Sequence, residues 1–254
     1  MLLEDCLGLG RARLLAYPET ELTAEQLHVL AKQVGRRARH EPLAYIRGQA
    51  EFYGRVFRVD KNVLVPRPES EAMIEMLLTL PSVPASDGGG PTIFDIGTGS
   101  GALAITAKLE LPAAQVVATD ISPACLGLAS ANAKRLGADI ALAEGDLLAP
   151  VAGRLRASSV LLCNLPYVPD TYAINQAAGH EPRLALFAGA DGLDCYRALF
   201  RQLAQPTMAT PPGYILAESL PEQHTALASL AKQYGYQLEQ TKDFIQLFGA
   251  KHRP

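Results

Sequence analysis

The sequence predicts an α/β fold: a mostly parallel sheet covered on both faces, preceded by a small helical subdomain and a linking β-hairpin. Three observations carry this expectation. From residue 92 onward, short apolar runs of strand length alternate with runs of helix length, the pattern of strands joined by crossover helices. The first of those strands runs into Gly97-Thr98-Gly99-Ser100-Gly101 and then into a helix, so the glycines occupy a strand-to-helix turn. Residues 1–47 carry helical spacing, and the character changes at residue 48.

The elements follow in order. A short helix over about residues 1–16 ends near Tyr17-Pro18. Thr23-Ala24-Glu25-Gln26 is a capping box, in which Thr23 caps and Gln26 reaches back. Leu27, Leu30, Ala31 and Val34 then recur on one helical face, which is the expected inward face. These pieces are too short to hold a core alone and must lean on the rest. Phe52, Tyr53, Val56, Phe57, Val59, Val63 and Val65 predict a hairpin turned at Asp60-Lys61-Asn62 and stopped by Pro66-Arg67-Pro68. Glu69 to Leu80 reads as a helix with Met73, Ile74 and Leu77 inward, and residues 81–91 as a loop. Strands are then expected at 92–96, 115–119, 140–143, 160–163 and 214–218, with terminal strands over 237–248. Helices are expected at 102–109, 123–136, 193–203 and 222–234. The expected organisation is a helical part over 1–47, a hairpin linker over 48–66 and a main domain over 67–254.

Bulk numbers narrow the function. The 254 residues are 48% hydrophobic and 19% charged, an ordinary globular balance. A net charge of −3 argues against a partner held through phosphates, so no stable nucleic acid binding is expected. Cys6, Cys125, Cys163 and Cys195 are far apart, which fits reduced thiols in a cytoplasmic protein rather than a zinc site or disulfide framework. His28, His40, His180, His224 and His252 lack ligand spacing, so no metal is expected. No apolar run is long enough to span a bilayer, and no membrane association is expected.

The glycine turn has a carboxylate on each side. Asp95 stands two residues before Gly97, and Asp120 ends the next strand, 21 residues after Gly99. An acidic side chain at that second position can accept both ribose hydroxyls of a nucleoside. A dinucleotide site favours GxGxxG, whereas the spacing here is GxGxG. Asp95 would repel a phosphate and suits the cationic methionyl end of S-adenosylmethionine. The sulfonium cofactor is therefore favoured over a dinucleotide and over a turn with no ligand. Asp146, after the third strand, is a candidate for the adenine amino group, with a solvated loop aspartate as the bland alternative.

Asn164-Leu165-Pro166-Tyr167 follows the fourth buried strand, at the edge where open α/β sheets bind ligands. A nitrogen on an sp² centre is a poor nucleophile. The Asn164 side-chain oxygen and a nearby main-chain carbonyl can each accept one of its N–H groups and so aim it, while Tyr167 stacks on the planar group. A simple strand-end turn is the alternative. Glu181 and Arg183 either shape the substrate mouth or form a surface ion pair, and Phe52 and Tyr53 read as packing.

The chain resembles the HemK-type protein-(glutamine-N5) methyltransferases, specifically those acting on peptide chain release factors. The likeness spans nearly the whole chain. It rests on residues 42–48 (PLAYIRG), 51–54 (EFYG), 65–69 (VPRPE), Asp95 to Gly101, Asp120, Asn164 to Tyr167, Glu181-Pro182-Arg183, and Gly189 to Leu193. The resemblance implies a Rossmann-like class I methyltransferase fold with a seven-stranded sheet. It implies S-adenosyl-L-methionine held by Gly97, Thr98, Gly99, Ser100, Gly101 and Asp120, and a glutamine amide held by Asn164, Leu165, Pro166 and Tyr167. The implied substrate is the Gly-Gly-Gln glutamine of class-one release factors, docked with help from the N-terminal helices. Leu165 stands where the family usually has proline, Leu147 where some relatives have an aromatic beside the adenine, and the helical part is shorter than expected. Three rivals remain. One is a ribosomal-protein glutamine methyltransferase. Another is a DNA adenine-N6 methyltransferase, which would normally bring a basic recognition region. The third is a cofactor-binding partner protein with impaired catalysis, to which Leu165 would point.

Overall fold

The computed structural model describes residues 1–80, 91–208 and 210–251, so the expected loop over 81–91 lies almost wholly outside the described residues, as does His252. Four short helices open the chain: α1 (Leu2–Leu7), α2 (Arg11–Ala16), α3 (Ala24–Ala38) and α4 (Leu43–Arg47). The single helix expected over 1–16 is broken at Gly8, whose φ of 64° closes α1 in the left-handed region. The capping box at Thr23 is formed, with Gln26 N donating to Thr23 Oγ1 at 3.2 Å and Thr23 N donating to Gln26 Oε1 at 2.9 Å. The expected inward face of α3 is corrected: Leu27, Ala31 and Val34 are exposed and Leu30 is half-buried. Periodicity identified an apolar stripe but not which way it turns. The half-buried positions of the helix, which contacts α1, include Gln26, Leu30, Gln33 and Arg36, and Arg36 pairs with Glu41 to close the segment.

The hairpin is β1 (Gln49–Phe52) paired antiparallel with β2 (Arg55–Arg58). Its turn is Tyr53-Gly54, both at positive φ (49° and 68°), the two-residue turn that matches strand twist. The expected turn at Asp60-Lys61-Asn62 is therefore corrected. Those residues form a separate side-chain-stabilised turn after the hairpin, with Asn62 N donating to Asp60 Oδ1 at 2.8 Å. A 3₁₀ turn (Pro68–Ser70) leads into α5 (Glu71–Thr79), which buries Met73, Ile74 and Leu77 as expected.

Strands β3 (Thr92–Ile96), β4 (Gln115–Asp120), β5 (Ala141–Glu144), β6 (Ser159–Cys163), β7 (Tyr214–Glu218), β8 (Tyr236–Lys242) and β9 (Ile245–Ala250) make one seven-stranded sheet. The order is β5-β4-β3-β6-β7-β9-β8, parallel except where β9 runs antiparallel between β7 and β8. Helices α6 (Ala102–Glu110), α7 (Pro123–Leu136), α8 (Asp194–Leu203) and α9 (His224–Gln233) connect the strands. One apolar cluster lies on each face of the sheet: Ile93, Val116 and Leu162 point to one, Phe94, Val117 and Leu161 to the other. This doubly covered, mostly parallel sheet is the fold expected. The order of strand addition reverses between β3 and β6, which run parallel, and this switch point opens a crevice at the strands' C-terminal ends.

Candidate active site

Three strand ends meet at that crevice, because Ile96 is in register with Thr119 on one side and Cys163 on the other. The glycine turn springs from the first of them. Gly97 N and Thr98 N both donate to Thr119 O at 2.9 Å, which folds the turn over the end of β4. Gly97, Gly99 and Gly101 have φ of 76°, 54° and 83°, a conformation L side chains rarely adopt. A Cβ on Gly101 would lie 2.8 Å from Ile105 Cδ1 and 3.1 Å from Ala129 Cβ, whereas one on Gly99 would meet nothing within 4 Å. Gly101 thus serves packing, and Gly99 faces open space.

The two carboxylates hold this turn. Asp120 Oδ2 accepts from Gly99 N and Oδ1 from Ser122 N, each at 2.9 Å. Each oxygen keeps further acceptor capacity. Asp95 is 1% exposed, and its Oδ2 accepts from Thr98 Oγ1 at 2.6 Å and from Ala104 N at 3.1 Å. Burial pushes its carboxyl up to about 6, against the pull of those two donors. Asp146 is exposed beside Gln202, and Leu147, at φ 50°, accepts from Thr119 Oγ1 at 3.1 Å through its carbonyl.

On the opposite bank, Asn164 Nδ2 donates to Ser70 Oγ at 2.9 Å. No described residue donates to Asn164 Oδ1. Tyr167 OH donates to Glu218 Oε1 at 3.0 Å, and burial raises the Tyr167 hydroxyl's pKa. Gln223 Nε2 donates to Tyr167 O and to Asp191 O, both at 2.7 Å, fixing the loop beyond the tetrapeptide. Leu165 is 2% exposed and packs beneath the glycine turn, 3.3 Å from where a Gly97 Cβ would stand. Asn164 and Tyr167 line a cleft of about 370 Å³ with Arg67, Tyr172 and Asn175 among others. Glu181 is buried, accepting from Arg67 Nη2 at 2.6 Å and Val65 N at 3.1 Å, while Arg183 is an exposed partner of Asp170. Of the two readings for that pair, Glu181 braces the cleft and Arg183 makes the surface ion pair.

Comparison with known proteins gives a consistent result. Residues 1–48 match the PrmC N-terminal domain, and residues 76–165 match the ribosomal protein L11 methyltransferase (PrmA) family. The release factor glutamine methyltransferase of Deinococcus radiodurans is 36% identical over 246 residues, covering 96% of this chain and 85% of that protein. That of Moorella thermoacetica is 40% identical over 238 residues, covering 92% and 81%. The chain belongs to this family. The family resemblance read from the motifs is borne out, and so is the class I methyltransferase fold. The sheet superposes on the Thermus thermophilus 16S rRNA N2 G1207 methyltransferase, solved with AdoMet and guanosine (TM-score 0.56, 17% identity, 80% of this chain and 50% of that one). It also superposes on the hMettl16 catalytic domain solved with an RNA hairpin (TM-score 0.57, 11% identity, 87% and 91%). At such identities these two speak only for the fold. No helix among the described residues is long and apolar enough to cross a membrane.

As a member of the release factor glutamine methyltransferase family, the chain brings Asp95, Gly97, Thr98, Gly99, Ser100, Gly101, Asp120, Asn164 and Leu165 to one crevice, and Pro166 joins them to Tyr167, which lines the cleft beside Asn164. Four braces escaped the sequence reading: Ser70, Glu218, Gln223 and Asn132. Asn132 is fully buried, and its Nδ2 lies 3.0 Å from Arg58 O and 2.9 Å from Ser100 O, so it ties the hairpin to the glycine turn. Glu218 carried a signal, since an acid closing an apolar strand at a sheet's C-terminal edge is rarely buried without purpose.

Proposed function

We propose that this chain transfers a methyl group from S-adenosyl-L-methionine to the side-chain amide nitrogen (N5) of the glutamine in the Gly-Gly-Gln motif of class-one peptide chain release factors. Family membership supports the reading. The observation that carries it is Asn164, whose donor end is engaged by Ser70 while its Oδ1 is left for a substrate N–H at the mouth of the cleft.

The residues present fit the cofactor. The open space over Gly99 admits close approach to the backbone, and Asp120 retains acceptor capacity for ribose hydroxyls beside it. Asp95, Gly97, Thr98, Ser100 and Gly101 shape that bank, and Asp146 and Leu147 border the adenine end. S-adenosylmethionine, when bound, supplies an electrophilic methyl group on a sulfonium. Asn164 Oδ1 accepts one N–H of the glutamine amide and the Leu165 carbonyl the other, which turns the nitrogen lone pair toward the cofactor bank. Tyr167 and Pro166 give the amide plane an apolar wall. Positioning and exclusion of water supply most of the rate, with no strong base required. Residues 1–47 dock the factor, 48–66 link, and 67–254 carry the chemistry. The protein acts in the cytoplasm, without membrane or stable nucleic acid binding.

The test is mass spectrometry of a purified release factor after incubation with the protein and cofactor. One methyl group on the Gly-Gly-Gln glutamine is expected. Asn164→Ala should lower kcat by about 100-fold or more, the scale of losing a transition-state acceptor, with calorimetric cofactor affinity unchanged. Absence of that methyl group with wild-type protein overturns the reading.

A further inference from the structure

We propose that Glu218 and Ser70 are positioning residues that fix which way round the Asn164 amide stands, holding its oxygen toward the substrate. The proposal rests on the reading that Asn164 receives the substrate amide. An asparagine amide has an acceptor end and a donor end of almost the same shape, and a half-turn exchanges them. Receiving a substrate N–H requires the oxygen outward. Whatever grips the inner end must then be an acceptor.

Ser70 alone does not settle the orientation. Its Oγ lies 2.9 Å from Asn164 Nδ2, but a hydroxyl can donate as readily as accept. The neighbouring group decides. Glu218 ends β7 at 1% exposure, and an ionised carboxylate only accepts. Its Oε1 takes the Tyr167 hydroxyl at 3.0 Å, and its Oε2 is buried with no hydrogen-bond partner of its own. Cys163 is in register with Ala217, so Asn164 and Glu218 follow side by side at the ends of β6 and β7, and Ser70 favours the charged form of that carboxyl. The buried, unpartnered Oε2 is the acceptor left for the Ser70 proton; with that proton directed there, the Ser70 oxygen can only accept, and Nδ2 is the end of Asn164 that can give. Ser70 stands at the N-terminus of α5 yet makes no capping bond, so its hydroxyl is not committed elsewhere. The same carboxylate anchors both Asn164, through Ser70, and Tyr167.

Charge state links this grip to pH. Burial pushes the Glu218 carboxyl up to about 7, with Glu69 raising it further and Arg67, Ser70 and Tyr167 opposing. Tyr196 from α8 meets only its main chain, donating to Glu218 O at 2.5 Å. A protonated Glu218 can donate to Ser70, and the Asn164 orientation is then no longer enforced.

The test combines NMR with kinetics on the full chain. The Asn164 side-chain NH₂ resonances, assigned by their loss in Asn164→Ala, should be protected from exchange and should shift with a midpoint near pH 7. In Glu218→Gln and in Ser70→Ala that titration should vanish. Both variants should keep the wild-type cofactor affinity by calorimetry, which also reports folding. Their kcat should fall about 10- to 100-fold, the scale of a misplaced reacting group, and Glu218→Gln should lose the acid limb of the wild-type pH profile. A pH-independent Asn164 resonance in the wild type overturns the proposal whether or not a release factor is methylated. So does a titration that survives in both variants, or wild-type kcat in both. A wild type that shows the titration but methylates no release factor supports the positioning and overturns the functional reading alone.

Discussion

The glycine turn is braced by residues close to it in the chain. Asp95, Thr98, Ala104 and Asp120 exchange their hydrogen bonds within one strand–helix–strand unit, and much of the bracing is main chain to carboxylate. The Asn164–Tyr167 bank is braced by side chains from remote segments: Ser70 from before α5, Glu218 from the end of β7, and Gln223 from the turn before α9. A short, backbone-defined turn suits a ligand that does not change. A bank assembled from distant side chains suits an amide that must be aimed, because each brace sets an angle. The two banks should therefore fail differently, one in affinity and the other in turnover.

The largest effect that would sharpen this contrast is expected from Asp120→Ala. The change removes the acceptor of Gly99 N and of the proposed ribose contact together. A lost charge-assisted contact of about 1.5–3 kcal/mol corresponds to a Kd for S-adenosylmethionine weaker by roughly 10- to 150-fold. Turnover at saturating cofactor should change far less. Calorimetry followed by saturation kinetics checks both halves. Equal affinity in wild type and Asp120→Ala would remove the ribose assignment, and a purely kinetic defect would erase the distinction between the banks.

The same contrast explains what the sequence disclosed. The β3 and β7 bounds and the whole of α7 match the expectation because apolar runs and caps are local signals. GxGxG and Asp120 were legible for the same reason. Ser70 was hidden because its partner is 94 positions away and it falls inside the first turn of the helix expected from Glu69. Asn132 was hidden inside a helix whose apolar pattern gave no hint of its bonds to Arg58 and Ser100. The hairpin turn was misplaced because Asp60-Lys61-Asn62 has stronger turn composition than Tyr53-Gly54, although the latter pair takes the positive φ values. The α3 stripe was turned inward on the usual rule, and in this chain it faces out.

A smaller, pH-dependent effect is expected at Asp95. Its carboxyl is raised from 3.8 to about 6, chiefly by burial. The folded state therefore holds this proton more tightly than the unfolded chain does. The stabilisation is fully present below about pH 4 and is lost as pH rises through about 6. Asparagine keeps an oxygen for Thr98 and Ala104 N but carries no charge to desolvate. The melting temperature of Asp95→Asn relative to wild type should accordingly climb between pH 4.5 and pH 7.5, which paired thermal melts at the two values would measure. A difference that is flat with pH would mean that the Asp95 charge is not desolvated in the folded state, and would weaken its proposed electrostatic part in the cofactor bank.

The smallest effect is expected where the two banks touch, at Leu165. The side chain is buried against Gly97 and points away from the cleft, so the position serves packing while its carbonyl serves the substrate. Proline at this position would fix φ and remove an N–H. The Leu165 main chain lowers the pKa of the Tyr196 hydroxyl against the effect of burial. The Tyr196 hydroxyl lies 2.8 Å from Cys163 O and 2.5 Å from Glu218 O, at the ends of β6 and β7, and its one proton is shared between these carbonyls. Leucine thus gives up the rigidity of proline and buries its side chain against the glycine turn. Leu165→Pro should change kcat by less than about threefold, under 1 kcal/mol of barrier, while lowering the melting temperature because the buried leucine side chain beside Gly97 is lost. A rise in kcat of tenfold or more would show that leucine has loosened the carbonyl, and that the Asn164 bank is less rigidly aimed than its braces imply.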